Sequence, residues 1–399
     1  MILLAALCFI MFLTYGMYFN SFGVNAASSM AFFGISEARQ GMIITIQSIG
    51  CLIMTVILAL YGERINKLHG ITLGYAVMSI VAICIGTIPL FKEQGSGYVL
   101  MLVYALIGGL GYIIIDLLMN SVISDVFPEH KHTLLPFVHA FYGTGAMLAP
   151  ILVSSLANPE RPASFATPFL AIGLVSAVLC ILFAFISSKI MPTTPYTDMT
   201  EIRQRAIANP AEIFRSKLAW LYLLTSFLHV SFQNGLSSWL TNYCSDYLGF
   251  KYEAAALMMT LFFAGNLAAR FLTPLIYKKI AVSKFYCVFM LVASAIFLVF
   301  ILVDGIPTVL RYVLIVLLGL AQGGGVPSIV ILCCDAFPER TASASSLFVI
   351  GVSLATFITP TLMGKMIESI GFKAPMLMLG VFLILSVLVL RTTVSAERK

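Results

Sequence analysis

Four ionisable side chains lie within otherwise apolar stretches of this sequence: Asp116, His139, His229 and Arg270. An ionisable group in low-dielectric surroundings is costly, so each is a candidate functional residue. Asp116 lies in GGLGYIIIDLLMN, and Asn120 follows one helical turn later on the same face. Because burial disfavours the charged carboxylate, this group is predicted to bind and release a proton. A structural hydrogen bond to a neighbouring helix is the alternative.

The stretch FLHVSFQNGLSSWL carries His229, Gln233, Asn234 and Trp239. Residues 229 and 233 are neighbours on one face of a helix. Amides exchange hydrogen bonds with hydroxyl groups, and the indole ring offers an apolar stacking face. The combination suits a polyhydroxylated ligand, and polar contacts between helices are the alternative interpretation.

Weaker candidates lie in three other apolar stretches. His139 lies in PFVHAFYGTGAM with Tyr142 one turn onward, so their helix is predicted to have a polar face. Asn20 is a further candidate for contact with a ligand. Gln322 is followed by three glycines and Pro327, and this run is predicted first to loosen its helix and second to bind a ligand.

Metal and cofactor chemistry finds little support in the sequence. The eight cysteines lie almost entirely in apolar stretches, with no CxxC spacing and no cysteine–histidine cluster, so we interpret them as small packing residues. We predict no metal, no cofactor and no enzymatic activity. An intramembrane enzyme with Asp116 and His139 as an acid–base pair is the alternative, but no motif such as HExxH accompanies them.

These candidates lie in a chain of 399 residues that is 60% apolar and only 10% charged. Soluble proteins carry roughly 25% charged residues, so this composition excludes a soluble enzyme, a nucleic-acid binder and a disordered chain. The net charge of +6 is therefore interpreted as a sign of membrane topology.

Twelve apolar segments are long enough for membrane-spanning helices, each of which needs roughly 20 residues. They cover 2–30, 39–61, 70–91, 98–127, 133–157, 166–188, 218–246, 253–277, 283–303, 309–336, 341–369 and 373–391. We predict an all-α membrane protein with an N-terminal six-helix half (1–188), a cytoplasmic linker (189–217) and a C-terminal six-helix half (218–399).

The basic residues indicate which ends of the spans are cytoplasmic. With both termini and the linker inside, fifteen Lys and Arg residues fall on the cytoplasmic side and seven on the other. Cytoplasmic loops collect Lys and Arg, so the chain is predicted to be a multi-pass protein of a bacterial inner (plasma) membrane with both termini in the cytoplasm.

The two halves repeat each other. The motif Asp125–Glu129 (DVFPE) recurs 210 residues later as Asp335–Glu339 (DAFPE), and Pro150 recurs as Pro360 at the same offset. Internal repeats joined by a central linker are typical of secondary transporters, whose substrate site lies at the midplane between the repeats.

Charged residues at the predicted cytoplasmic helix ends are candidates for a gate. They are Glu63, Arg64, Lys67, Asp125, Asp335 and Arg340. Opposite charges here are predicted to hold the cytoplasmic side closed, and solvated loops are the alternative. Exposed ion pairs contribute about 0–1 kcal/mol each, which suits a contact that breaks in every cycle.

Several stretches carry a family resemblance. Residues 59–67 (ALYGERINK) resemble a degenerate form of the loop motif between spans two and three of the major facilitator superfamily. Three longer stretches, 116–150, 227–271 and 327–360, resemble the fucose–galactose–glucose:proton symporter family. The resemblance implies the major facilitator fold, symport of small molecules such as sugars, and a proton-carrying acid at Asp116.

We therefore expect a monomeric secondary active transporter that moves a small polar solute, foremost a sugar, by alternating access and proton-coupled symport. Asp116 is expected to carry the proton, with sodium as the alternative coupling ion. The expected substrate contacts are Asn20, Asn120, His139, Tyr142, His229, Gln233, Asn234 and Trp239, and Arg270 is expected to be structural. An exporter of drugs or metabolites and an uncoupled facilitator are the alternatives.

Overall fold

The computed structural model describes residues 2–158, 160–190 and 210–397, which fall into two compact units. The first unit comprises Met1–Pro128 and Val138–Pro210, and the second comprises Glu129–Phe137 and Ala211–Lys399. Most of the predicted linker, residues 191–209, lies outside the described residues.

Fourteen α-helices account for most of the described chain, which forms no β-strand beyond an isolated bridge. They are α1 (Ile2–Val24), α2 (Ala26–Phe33), α3 (Glu37–Tyr61), α4 (Lys67–Thr87), α5 (Tyr98–Val126), α6 (Lys131–Leu156), α7 (Ala166–Ile190), α8 (Lys217–Asn242), α9 (Tyr252–Tyr277), α10 (Val282–Leu302), α11 (Thr308–Gln322), α12 (Gly325–Ala336), α13 (Thr341–Ile370) and α14 (Lys373–Glu397).

Eleven helical segments of the described chain are long and apolar enough to cross a membrane. One of them, Thr308–Ala336, contains both α11 and α12, which are separated at Gly323 and Gly324 as the glycine run predicts. The seventh predicted span corresponds to α8, which has 26 residues and is about 39 Å long. Helix α8 is more polar than the others and carries four of the eight predicted ligand-binding side chains.

Glycines allow two helices of each half to cross at backbone contact. A Cβ atom on Gly109 would lie 2.1 Å from the carbonyl oxygen of Gln47, where α5 crosses α3. The repeat-related Gly319 would place a Cβ 2.2 Å from the carbonyl oxygen of Phe262, where α11 crosses α9. Small residues at such crossings let helices approach closely in a membrane, where packing replaces the hydrophobic effect as the driving force.

A second repeat-related contact joins the third and first spans of each half through a tyrosine. In the first half, the hydroxyl of Tyr75 bonds Thr14 and donates to the Met11 carbonyl (2.9 Å). In the second half, Tyr286 bonds His229, which occupies the position 215 residues after Thr14. The halves therefore share this tyrosine contact, but its partner is a hydroxyl group in the first half and an imidazole in the second.

The crossing glycines make a stability prediction. Gly109→Ala should lower stability by about 1–3 kcal/mol, because the new methyl group overlaps the Gln47 carbonyl and forces the helices apart. Gly41→Ala on α3 is the matched control, since its Cβ meets nothing within 4 Å. Thermal unfolding in detergent should show a lower midpoint for Gly109→Ala only. Equal midpoints would contradict the close crossing.

Candidate functional site

The acidic centre of the first half is Asp116, midway along α5. Asp116 is a partly buried residue, whereas Asn120 on the next turn is fully buried. Asn120 Nδ2 approaches Asp116 Oδ1 at 3.5 Å, the outer limit for a hydrogen bond, and Asn120 Oδ1 has no partner. The predicted pair, Asp116 and Asn120, therefore lies close together, and Asn120 Oδ1 can still accept a hydrogen bond.

Tyrosine rings form one wall beside Asp116. Tyr15 of α1 stacks on Tyr112 of α5 with ring centroids 3.9 Å apart, and Tyr142 of α6 lies 5.5 Å from Tyr15. Tyr112 lies one helical turn before Asp116 on the same face of α5. Phenolic hydroxyls both donate and accept hydrogen bonds, so this wall can serve an ionised or a protonated carboxyl group.

Two other predicted residues of the first half have local roles. Asn20 donates from Nδ2 to the Gly16 carbonyl of its own helix at 2.9 Å, which uses part of its hydrogen-bonding capacity. His139 is buried and packs edge-on against Phe12, with ring centroids 6.3 Å apart.

The polar centre of the second half is a hydrogen-bonded network around Gln322, the last residue of α11. Gln322 Nε2 lies 3.1 Å from His229 Nε2 and 3.3 Å from Gln233 Oε1, both on α8. Gln322 Oε1 accepts a hydrogen bond from Nδ2 of Asn266 on α9. One amide therefore connects three helices.

Hydrogen-bond direction assigns the tautomer of His229. Tyr286 donates to Ser386 Oγ at 2.9 Å, so its oxygen accepts from His229 Nδ1, 3.3 Å away. His229 Nε2 is then an acceptor for one N–H of Gln322, whose second N–H serves Gln233. The assigned pattern fits a neutral imidazole with its proton on Nδ1.

The break between α11 and α12 makes room for this imidazole. A Cβ atom on Gly325 would lie 2.1 Å from His229 Cε1 and 2.6 Å from Nε2. The glycine run therefore has a packing role in addition to the helix break. A side chain at position 325 would displace the ring that Gln322 holds.

Asn234 and Trp239 are the other two predicted ligand contacts on α8. Asn234 is partly buried and donates from Nδ2 to Thr356 Oγ1 at 2.8 Å. Trp239 is also partly buried, and its ring would lie 3.0 Å from a Cβ atom on Gly364. Both side chains retain exposed surface.

Arg270 lies one turn beyond Asn266 on α9 and is 8% exposed. It is within electrostatic range of His229, and Phe271 beside it packs near Phe137. The second half thus holds a buried guanidinium near its polar network, and the structural role expected for Arg270 stays a prediction.

Three of the predicted gate residues form one buried ion cluster in the first half. Lys67 is 1% exposed, and its Nζ lies 2.8 Å from Glu63 Oε2 and 2.9 Å from Asp125 Oδ2. Arg64 is outside this cluster, exposed over the ring of Tyr61.

The gate residues of the second half form separate and more exposed pairs. Asp335 pairs with Lys131, and Arg340 pairs with Glu212. Lys131 is one of the fifteen basic residues assigned to the cytoplasmic side from the sequence, and Glu212 lies in the predicted linker. The gating role of all these charges stays a prediction.

Three members of the second-half network are not singled out by the sequence: Asn266, Tyr286 and Ser386. Gln322 is predicted first to loosen its helix and second to bind a ligand. The signal for Asn266 is an amide in an otherwise apolar span, four residues before Arg270. The signal for Tyr286 is its repeat partner Tyr75, which makes the same kind of contact.

Comparison with known proteins identifies the family. The sequence profile of the Major Facilitator Superfamily matches residues 7–315 and 284–399. The chain belongs to this superfamily. The predicted twelve-span, all-α fold is thereby confirmed, and the protein is a multi-pass membrane transporter and not an enzyme.

Relatives of this superfamily member are distant in sequence. It is 24% identical over 360 residues to Bypass of stop codon protein 6 of Saccharomyces cerevisiae, covering 83% of this chain and 66% of that protein. It is 22% identical over 354 residues to the inner membrane transport protein YdiM of Escherichia coli, covering 88% and 83%.

Solved structures share its fold. The fucose:proton symporter FucP of Escherichia coli superposes with a TM-score of 0.80 at 19% identity over 98% of both chains. The proton:xylose symporter XylE superposes with a TM-score of 0.73 at 16% identity over 96% of this chain and 94% of that one. These matches show a common fold.

The network around Gln322 makes a prediction about coupling between residues. Gln322→Leu should lower stability by about 1–3 kcal/mol for each buried group left without a partner. Combined with Asn266→Leu, it should show a coupling energy of about 0.5–3 kcal/mol in a double-mutant cycle of unfolding free energies. Ser294→Ala, which removes a separate bond to the Gly380 carbonyl, is the control and should be additive.

The buried Lys67 cluster makes a second prediction. Lys67→Met should lower stability by about 3–5 kcal/mol, because two carboxylates lose their counter-ion. Adding Glu63→Gln and Asp125→Asn should recover much of that loss in thermal unfolding. Lys131→Met breaks a more exposed pair and should cost about 0–1 kcal/mol. Equal losses for Lys67→Met and Lys131→Met would contradict the buried cluster.

Proposed function

We propose that this transporter carries a small polyhydroxylated solute, foremost a sugar, together with protons. The observation that carries the proposal is Asp116, an acidic side chain in the middle of a membrane-spanning helix, with the Asn120 amide one turn after it and Tyr112 one turn before it. A carboxyl group so placed alternates between two protonation states without leaving its hydrogen-bonding partners.

The proton step rests on the acceptor and donor groups around Asp116. Asn120 donates to the ionised carboxylate, and its partnerless Oδ1 can accept from the protonated form. Both states of Asp116 therefore have a partner within one helical turn. A hydrogen-bonding partner for each protonation state suits a group that binds and releases a proton in every cycle.

Substrate recognition is supported by adjacent groups on α8. Gln233 uses Oε1 within the network, which leaves its Nε2 as a donor, and Asn234 uses Nδ2, which leaves its Oδ1 as an acceptor. Each hydroxyl of a sugar both donates and accepts, and Trp239 adds an apolar face for the ring. Amino acids would call instead for charged partners at both ends.

The cycle is proposed to follow alternating access, with both termini in the cytoplasm. In this scheme His139 and Tyr142 contact the substrate from the first half, with Asn20 as a further contact. The ion pairs at Lys67, Asp335 and Arg340 would stabilise one state of the cytoplasmic side. The similarity to FucP and XylE, whose names describe proton symporters of sugars, supports this choice of substrate and ion.

Uptake into proteoliposomes tests the proposal. The purified chain is tested with a panel of sugars, amino acids and nucleosides under an imposed proton gradient, a sodium gradient or no gradient. Sugar uptake driven by an inwardly directed proton gradient is the expected result. Uptake that follows only sodium, or that needs no gradient, would contradict proton coupling, and uptake confined to non-sugars would contradict the substrate class.

The role of Asp116 makes its own prediction. Asp116→Asn should lose proton-driven uptake to the level of empty liposomes, because the amide cannot carry a proton, while substrate counterflow is retained. Asp304→Asn, the same replacement at an exposed loop position, is the control and should transport normally. Proton-driven uptake by Asp116→Asn at the normal rate would contradict the assignment.

A further inference from the structure

The two halves differ in charge at a repeat-related turn. In the first half, Lys67 at the start of α4 is buried and neutralised by Glu63 and Asp125. In the second half, the turn from α9 to α10 and the first turn of α10 carry three exposed lysines: Lys278, Lys279 and Lys284. Among the described residues, none of the three forms an ion pair. This turn therefore presents uncompensated positive charge.

An apolar groove begins beside the same turn. It has a volume of about 350 Å³ and lies between α9, α10 and α11, with Ile276 and Phe285 at the end nearest the lysines. Along α10 it extends from Phe285 to Ile296, about 16 Å at 1.5 Å per residue. One leaflet of a bilayer with a hydrocarbon core of about 30 Å has nearly this depth.

The lining of the groove suits a hydrocarbon chain. Leu272, Val288 and Leu317 come from three different helices and are 48%, 47% and 43% exposed. The hydroxyl of Thr273 donates to the Ala269 carbonyl at 2.7 Å and so needs no polar ligand. The groove offers apolar contact along its length, and the nearby charge lies at one end.

We propose that this groove, together with the lysine turn, is a binding site for an anionic phospholipid. The acyl chain occupies the groove between α9, α10 and α11, and the headgroup phosphate lies at Lys278, Lys279 and Lys284. Basic residues between membrane helices attract anionic headgroups at a membrane surface. The site lies within the second half and goes beyond the proposed transport of a polar solute.

Quenching of a single tryptophan by brominated lipids tests the proposal. The two native residues, Trp220 and Trp239, are replaced by Phe, and Val288→Trp places one indole in the groove. The full chain is reconstituted in mixtures of brominated phosphatidylglycerol or brominated phosphatidylcholine with the unlabelled lipids. Phosphatidylglycerol should be preferred at position 288 by about fivefold or more, the effect of one lysine near a charged surface.

Two sets of variants separate a specific site from general lipid contact. Replacing the three lysines with Gln should abolish the preference, and replacing them with Arg should keep it, since the charge is retained. Leu73→Trp on α4 is a matched control, because Leu73 is exposed and lies about one and two-thirds turns beyond Lys67. It should show no headgroup preference.

Three outcomes would overturn the proposal: equal quenching by both lipids at position 288, a preference that survives Lys→Gln, or the same preference at position 73. Size-exclusion elution and thermal unfolding are the measurements that check whether each variant is folded. These measurements involve neither sugar nor a proton gradient, so their outcome is independent of the proposed transport function.

Discussion

A bilayer offers no water to a buried polar group, so each polar group within a span needs a partner inside the fold. The backbone meets this demand by forming helices, and glycines at positions 109 and 319 let those helices pack at backbone contact. Polar side chains must then find partners across helices. The positions of the candidate functional residues follow from this second demand, because a side chain that is costly in lipid is retained where a neighbour satisfies it.

The two halves meet that demand in different ways. In the first half, Asp116 has one weak amide donor, Asn120, and Tyr112 lies one turn before it, which supports the proton-carrying role proposed for this carboxyl group. In the second half, Gln322 joins His229, Gln233 and Asn266 so completely that the donors and acceptors assign one tautomer. The acid in one repeat supports the proposed ion coupling, and the amide network in the other supports the proposed substrate recognition.

Because the two halves repeat each other, one helical scaffold supports both the acidic centre and the amide network. The tyrosine contacts of Tyr75 and Tyr286 and the two glycine crossings recur at matching positions. Some of the differences lie in side chains that these shared contacts hold, such as Thr14 and His229. The turn after the second span of each half shows the same principle with charge, since Lys67 is neutralised by two carboxylates whereas the corresponding turn of the second half keeps three exposed lysines.

The sequence by itself determined the fold class, the number of spans and the pairing of Asp116 with Asn120, because hydropathy, repeat spacing and helical periodicity are local properties of the chain. It also indicated the helix break after Gln322. It did not identify the network of Gln322, Asn266 and Tyr286, or the separation of Arg64 from the buried Lys67 cluster. Those outcomes depend on which faces of non-adjacent helices meet, and only the tertiary structure decides that, because hydrogen bonds between helices are set by crossing positions that no single segment encodes.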